Sequence, residues 1–408
     1  MSKTRIPLML LLVLCASLMT GCWNRRELNE LAIAVAIGID KAGNQHQVTV
    51  QVVNPSEISK KTSGVPYAPV TIYKMRGDTI AECIRKLTVE SPRLMYLSHV
   101  RLLVLSEEVA REGIRHTLDY FSRDREFRPD FYVAVSRHAT AETVLSLFTQ
   151  LEKIPANQLY DSLKNSEKYW APTIGIHLDE LIDDLIKEGV NPVLTGISVK
   201  GDQAKGKSKE NVGNIAMPTH LQFTSIGVFN KDRLIGWMNE TDSKGYNYIK
   251  GNVKGTVGSL LLNENKKERV SNELIKSSTK TTGTLVGGRP HITVVIKGEG
   301  NIAEVETSKV DLSRAKPVLE LEHAMNRRIE ELALHCIKKA QQQFKTDIFG
   351  FGEVMRRSEP AFWQKEKARW SEYFQKLTVD VKSDIKLRRS GRVGNSFIRE
   401  MEKPAPKE

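Results

Sequence analysis

Large and small apolar residues alternate over residues 31–39, and apolar and polar ones over 48–53, with Asp40-Lys41-Ala42-Gly43-Asn44 between the two runs. A period of two belongs to a strand with one face turned inward, and Asp, Gly and Asn supply turns, so this stretch reads as a hairpin that Asn54-Pro55 ends. The polar segment 56–70, with Pro66 and Pro69, reads as a loop. The period then lengthens: Ile80, Cys83, Ile84 and Leu87 lie on one helical face within 78–90. The apolar run 100–105 has the character of a buried strand. Ser106 followed by Glu107 and Glu108 is the signature of a helix start, and Val109, Ile114, Leu118 and Phe121 supply that helix with a face. A strand at 131–135 and a helix over 140–151 follow. Strands alternating with helices predict an α/β arrangement for residues 23 to about 190.

The pattern changes in the second half. Residues 199–214 are rich in Gly, Lys and Asp and nearly free of large apolar side chains, which reads as an exposed loop or a domain boundary. Residues 226–229 and 234–237 flank Asn230-Lys231-Asp232-Arg233 as a second hairpin, and further strands are expected at 253–262 and 291–297. The clearest helix is 318–344, where Leu321, Met325, Ile329, Leu332, Cys336, Ala340 and Phe344 recur at three or four; it would run roughly 40 Å. Alternation returns over 377–387. The expected fold class is therefore mixed α/β (α+β), multi-lobed, with mixed sheets flanked by helices and a long helix in the C-terminal lobe. The divisions drawn are an N-terminal α/β region at 22–196, a central hairpin-containing lobe at 197–285, a C-terminal lobe at 286–395 and a tail at 396–408.

The first 21 residues stand apart. Lys3 and Arg5 precede an apolar stretch from Ile6 to Leu18, then Met19-Thr20-Gly21-Cys22. This is the layout of a signal peptide, too short for a comfortable membrane span. The cysteine directly after Thr20-Gly21 makes it a lipobox, with Met19 where leucine is usual. Cys22 is accordingly expected to carry diacylglycerol on its sulfur and an acyl lipid such as palmitate after cleavage, with no other cofactor. Two buried chains hold a protein to a bilayer far more firmly than one. The net charge of +12 changes little on losing Lys3 and Arg5. For an exported chain, such a surplus points to anionic lipid rather than nucleic acid.

No catalytic set emerges. The nine histidines include no HxxxH pair, and there is neither a GxSxG elbow nor a Walker loop. Gly298-Glu299-Gly300-Asn301-Ile302-Ala303 matches GxGxxA, but the β-branched residues after it fit a turn between strands better than a cofactor loop. The acidic helix 178–186 and the charge cluster Arg123-Asp124-Arg125-Glu126 with Arg128 could hold a cation or a partner; a solvated face and a salt-bridged loop are the plainer readings. Phe349-Gly350-Phe351-Gly352 after Asp347 suggests a helix cap with rings packed down, or a ligand site. Phe362, Trp363, Trp370, Tyr373 and Phe374 suit a core, with a partner groove as second reading. Cys83 and Cys336 each sit in a helical apolar pattern, as two buried thiols would; a disulfide between them stays open.

Gly21-Cys22-Trp23-Asn24-Arg25-Arg26-Glu27-Leu28, then Gly38-Ile39-Asp40 and Val53-Asn54-Pro55, resemble the mature N-terminus of the spore germinant-receptor C-subunit family, the Ger(x)C lipoproteins. Ser98-His99-Val100-Arg101, Ala110, Gly113-Ile114 and Arg123-Asp124 resemble its central stretch. Gly227-Val228-Phe229, Asp232, Leu234-Ile235-Gly236, Ala340-Gln341, Asp347, the Phe-Gly-Phe-Gly run and Trp370 resemble its second half. The resemblance spans nearly the whole mature chain, carried by the order and spacing of its parts. It implies three α/β lobes, lipid on Cys22, no catalytic residue, and work beside two membrane-embedded receptor subunits of A and B type. The expected place is the extracytoplasmic face of the inner spore membrane. The alternative is a solute-binding lipoprotein that hands a small molecule to a transporter; it predicts two similar lobes about a cleft.

Overall fold

The computed structural model describes residues 30–55, 57, 67–263, 268–389 and 401. Two sheets carry the chain. The first has nine strands: β1 (Leu31–Ala42), β2 (Gln45–Val53), β3 (Val70–Gly77), β4 (Leu94–Tyr96), β5 (Leu102–Ser106), β6 (Tyr132–Arg137), β7 (Val193–Gly201), β8 (Thr219–Asn230) and β9 (Arg233–Trp237). Their order is β3-β2-β1-β5-β6-β7-β8-β9, and β4 pairs with the first residues of β1. The centre is parallel and both flanks are antiparallel. The N-terminal hairpin thus supplies a central strand of this sheet. That is why β1 is buried along most of its length, with Ala34, Ala36, Ile37 and Ile39 wholly covered.

Helices cover both faces, as parallel strands require. On one face α1 (Ile80–Lys86), α2 (Glu107–Glu112) and α3 (Arg115–Arg123) pack against Ile37, Leu103 and Val133. On the other, α4 (Ala141–Ser146) and α5 (Pro155–Tyr169) cover Ala36, Leu102 and Ala134. The helix expected over 140–151 ends at Ser146, because the chain turns for the Phe148 N–H to donate to the Gly206 carbonyl at 3.0 Å. Then α6 (Leu178–Ile186) leads into β7.

The second sheet runs β10 (Thr256–Asn263), β11 (Glu268–Val286), β12 (Arg289–Val305), β13 (Thr378–Arg389), with β13 parallel to β12. Before it comes α7 (Glu240–Lys250). Between β12 and β13 lie the 25-residue α8 (Ala315–Lys339), a wide π turn at Ala340–Phe344, α9 (Phe351–Ser358), α10 (Pro360–Glu366) and α11 (Trp370–Gln375). One continuous core joins Ile37 and Leu103 of the first sheet to Ile292, Val294 and Met325 of the second sheet and α8.

Several expectations need correction. Gly298 to Ala303 is no turn: the strand expected at 291–297 continues to Val305 within a hairpin of 19 and 17 residues. A Cβ on Gly298 would strike the Lys276 carbonyl oxygen, and one on Gly300 would come within 2.8 Å of the Glu273 oxygen. Those glycines serve close strand contact beside a bulge, and no helix opens there to cradle a cofactor. The stretch 199–214 is no free linker either. Two helical turns there are pinned by buried Asn211, which donates to the Phe148 and Thr219 carbonyls and accepts from the Thr219 N–H. The division drawn at 196/197 falls within β7, and that at 285/286 falls in β11 one residue before its end, so neither coincides with a break in a sheet.

Candidate functional site

Asp347 follows the π turn at the end of α8 and is 4% exposed. Its carboxylate accepts hydrogen bonds from the backbone N–H groups of Phe349 (3.0 Å), Gly350 (3.0 Å), Phe351 (3.3 Å) and Gly352 (2.8 Å), and from the Trp370 indole (2.9 Å). The Phe-Gly-Phe-Gly run is therefore a backbone cradle that opens α9, and the rings of Phe349 and Phe351 stack at 5.0 Å. Burial raises the Asp347 carboxyl, and the donors pull it back. The acceptor sites are already filled by the chain itself, so the motif is a structural node rather than a ligand site.

That node reaches the first sheet. The Asp347 carbonyl accepts from the Asn191 N–H at 2.8 Å, and the Asn191 side chain accepts from the Lys231 N–H at 2.7 Å. Gly189, at φ +81°, lies against Gly352; a Cβ on it would come within 2.7 Å of Trp363 and 2.8 Å of Gly352. Trp363 and Trp370 meet edge to face at 5.4 Å. The aromatic series of the C-terminal helices is thus core at a lobe junction, with Trp363, Trp370 and Phe374 buried. A second node joins α7 to α8: fully buried Asp242 contacts His335 Nδ1 at 2.8 Å and Lys339 Nζ at 2.5 Å.

The remaining candidates resolve plainly. In the acidic helix α6, Glu180 closes a capping box with His177 and Asp183 pairs with Lys187 at 3.0 Å. In the charged loop after α3, Arg123 pairs with Asp119 (2.8 Å), Asp124 accepts from the Tyr120 hydroxyl (2.9 Å) and Arg128 pairs with Asp130 (3.4 Å). Cys83 and Cys336 are both free and buried, and burial pushes both thiols up. Among the described residues no cluster of His, Cys, Asp and Glu is placed to hold a metal. A cleft of about 1010 Å³ lies between α3, the β1–β2 turn and the β8–β9 turn. Two ion pairs cross it, Lys41 with Glu112 at 2.6 Å and Arg115 with Asp232 at 3.5 Å. Cys22 and the leader lie outside the described residues, so the lipidation expectation stands apart from this geometry. No helix among the described residues is long and apolar enough to cross a membrane.

The polar staples that sequence reading missed are Asn191, Asn211, Asp242 and Asn326. Only Asn191, between Val190 and Pro192, stands out in the sequence as a polar residue among apolar neighbours; Asn211, Asp242 and Asn326 each adjoin polar or charged residues and carry no such signal.

Residues 24–199 match the family described as Spore germination protein N-terminal domain, and residues 224–391 match Spore germination B3/GerAC like, C-terminal. Spore germination protein KC of Bacillus subtilis (strain 168) is 31% identical over 391 residues, spanning 94% of this chain and 95% of that one. The chain belongs to the spore germination GerAC-like family. Spore germination protein B3 of the same organism is 24% identical over 96% of this chain and 99% of its own. The GerAC-like fold is also that of a solved structure titled Crystal Structure of the GerBC protein. It has a TM-score of 0.51 at 17% identity, covering 86% of this chain and 96% of that one. In this GerAC-like chain several of the family-resembling residues among those described hold the architecture. Gly38 lies against Ala141 of α4, Asp40 accepts the Ala141 and Glu142 N–H groups, and Gln341 donates to the Phe374 and Leu377 carbonyls.

Proposed function

We propose that this chain is the lipid-anchored, non-enzymatic C subunit of a nutrient germinant receptor in the spore membrane. The observation that carries this is the match, over nearly the whole length of both chains, to a spore germination protein. In this reading diacylglycerol on Cys22 tethers the folded body to the extracytoplasmic face, where it meets A- and B-type membrane subunits and stabilises their assembly or signalling. Confinement to the surface raises its effective concentration beside those partners. Surplus positive charge adds attraction to anionic headgroups. The carboxylates of Asp347, Asp242 and Glu180 serve caps and ion pairs, which supports a body that works by binding. The solute-binding alternative predicts two similar lobes about a cleft; here the sheets have nine and four strands and different topologies.

Cys22→Ala tests the anchor. With labelled palmitate supplied during sporulation, the native protein is expected to take up label and sediment with spore membranes, and the variant to remain unlabelled and shift to the soluble fraction. A variant that keeps its label would remove lipidation at Cys22. One that loses label yet stays fully membrane-bound would show that protein contacts alone hold the body in place.

A further inference from the structure

Leu151 and Ile215 are the most exposed large apolar side chains among the described residues, Leu151 at 95% and Ile215 wholly so. They come from two loops far apart in the chain, one after α4 and one before β8. The loops meet. The Gln150 side chain donates to the Asn214 carbonyl at 2.6 Å, and each apolar residue directly follows a member of that bond. Neither loop hangs free. The Thr149 hydroxyl donates to the Glu152 carbonyl at 2.6 Å, and the Asn214 side chain donates to the Glu210 carbonyl at 3.2 Å. Buried Asn211 ties the two loops together through the Phe148 and Thr219 carbonyls. The result is one held tip that carries two apolar side chains.

Cations surround this tip. Lys153 lies two residues after Leu151, and Lys205 and Lys207 flank Gly206, whose carbonyl accepts from the Phe148 N–H at 3.0 Å. All three are exposed and form no ion pair among the described residues. With Lys200 and Lys209 the loops carry five lysines against Glu152, Asp202 and Glu210, and the Asp202 carboxylate is taken by the Ala204 and Lys205 N–H groups. A stable protein interface buries about 800 Å² on each side and is depleted of lysine at its core. Two side chains ringed by lysine are too few and too charged for that. They suit a lipid interface, where apolar side chains enter the acyl boundary while lysines stay among the headgroups.

We propose that the tip formed by Leu151 and Ile215 seats on an anionic bilayer surface, with Lys153, Lys205 and Lys207 against its phosphates. The proposal rests on the anchored reading above and names the face that the anchored body turns to the membrane. The tether permits it. Leu31 follows Cys22 by nine residues, which reach at most about 30 Å. Ala156, five residues after Leu151, donates its N–H to the Gln51 side chain at 3.1 Å, and Gln51 pairs with Ala36, five residues after Leu31. Tip and anchor can therefore meet one bilayer, and each lysine near its surface adds attraction to anionic lipid.

The test uses the full lipid-bearing chain with a nitrobenzoxadiazole label on Leu151→Cys or on Ile215→Cys, and on Leu334→Cys of α8 as an exposed control. Cys83 and Cys336 are buried, which shields them from the label. Each chain is reconstituted into vesicles of phosphatidylcholine with or without phosphatidylglycerol. Flotation reads the anchor, and quenching by doxyl lipid reads the face. The labels at 151 and 215 are expected to be quenched in the anionic vesicles and less so in the neutral ones, and the label at 334 in neither. Lys205→Glu with Lys207→Glu should shift the tip at least about tenfold from docked toward undocked while the chain still floats. Chains that float with 151 and 215 no more quenched than 334 would overturn the proposal and leave the anchor standing. Chains that do not float would overturn both. Quenching that is equal on the two kinds of vesicle and untouched by the lysine reversals would remove the anionic surface as the occupant. Labels shielded from water in native spore membranes yet unquenched there by doxyl lipid would mean that a polypeptide covers the tip, which also overturns the proposal.

Discussion

Asp347 gathers five donors around one buried carboxylate and so fixes the start of α9, the indole of Trp370 and, through Asn191, the entry to β7. An amide in its place keeps the shape but turns an NH₂ group toward donors. Asp347→Asn is expected to lower unfolding free energy by about 3 kcal/mol, the scale of losing hydrogen bonds to a charged acceptor. Urea unfolding of the purified protein reads this, and a loss within about 0.5 kcal/mol of zero would mean the carboxylate is not the anchor of the junction. The Phe-Gly-Phe-Gly run was visible in the sequence as an unusual cap, because glycine and aromatic residues punctuate a helical pattern. Its acceptor was adjacent at Asp347, yet the count of donors was not legible, since Trp370 arrives from 23 residues away.

Among the elements, α8 and β13 fit by spacing. Glu322, Asn326 and Glu330 stand four apart on the helix, and the N–H groups they accept, from Leu387, Ile385 and Ser383, stand two apart on the strand. Four helical residues rise about 6 Å and two strand residues about 6.6 Å, so the two rows keep step. The helix thereby completes the sheet edge with side chains. Asn326→Ala removes an acceptor for the Ile385 N–H and a donor to its carbonyl, both at 3.0 Å or shorter. It should cost about 1–3 kcal/mol and speed amide exchange at Ile385 more than at Ile292 in β12. Equal exchange at both would mean that the helix only lies over the edge. Helical period and strand alternation placed both elements from sequence. The pairing of polar residues between them was hidden, because a period describes one element's own faces and not what the opposite face meets.

For the molecule as a whole, the alternation of strands and helices foretold mixed α/β architecture, the N-terminal hairpin and the long helix. It did not foretell that 31–39 becomes a central strand, since a run alternating large and small apolar residues suits a half-buried or a fully buried site. It also missed β11 altogether, because its Lys, Ser and Thr residues carry little apolar signal. The sequence divisions missed the continuity of the core from Ile37 to Met325, which depends on contacts between distant segments. The functional reading was carried by motif residues spread in order over the chain rather than by a compact site, and among the described ones Asp40, Gln341 and Asp347 hold caps, crossings and junctions.

Deletion of the gene in a spore-former without a redundant receptor tests the central claim most directly, with germination scored against nutrients and against a non-nutrient trigger, and with the membrane subunits quantified in purified spore membranes. A receptor subunit predicts loss of the nutrient response, retention of the non-nutrient response, and restoration by the native gene. Unchanged nutrient germination in the deletion strain would contradict the assignment.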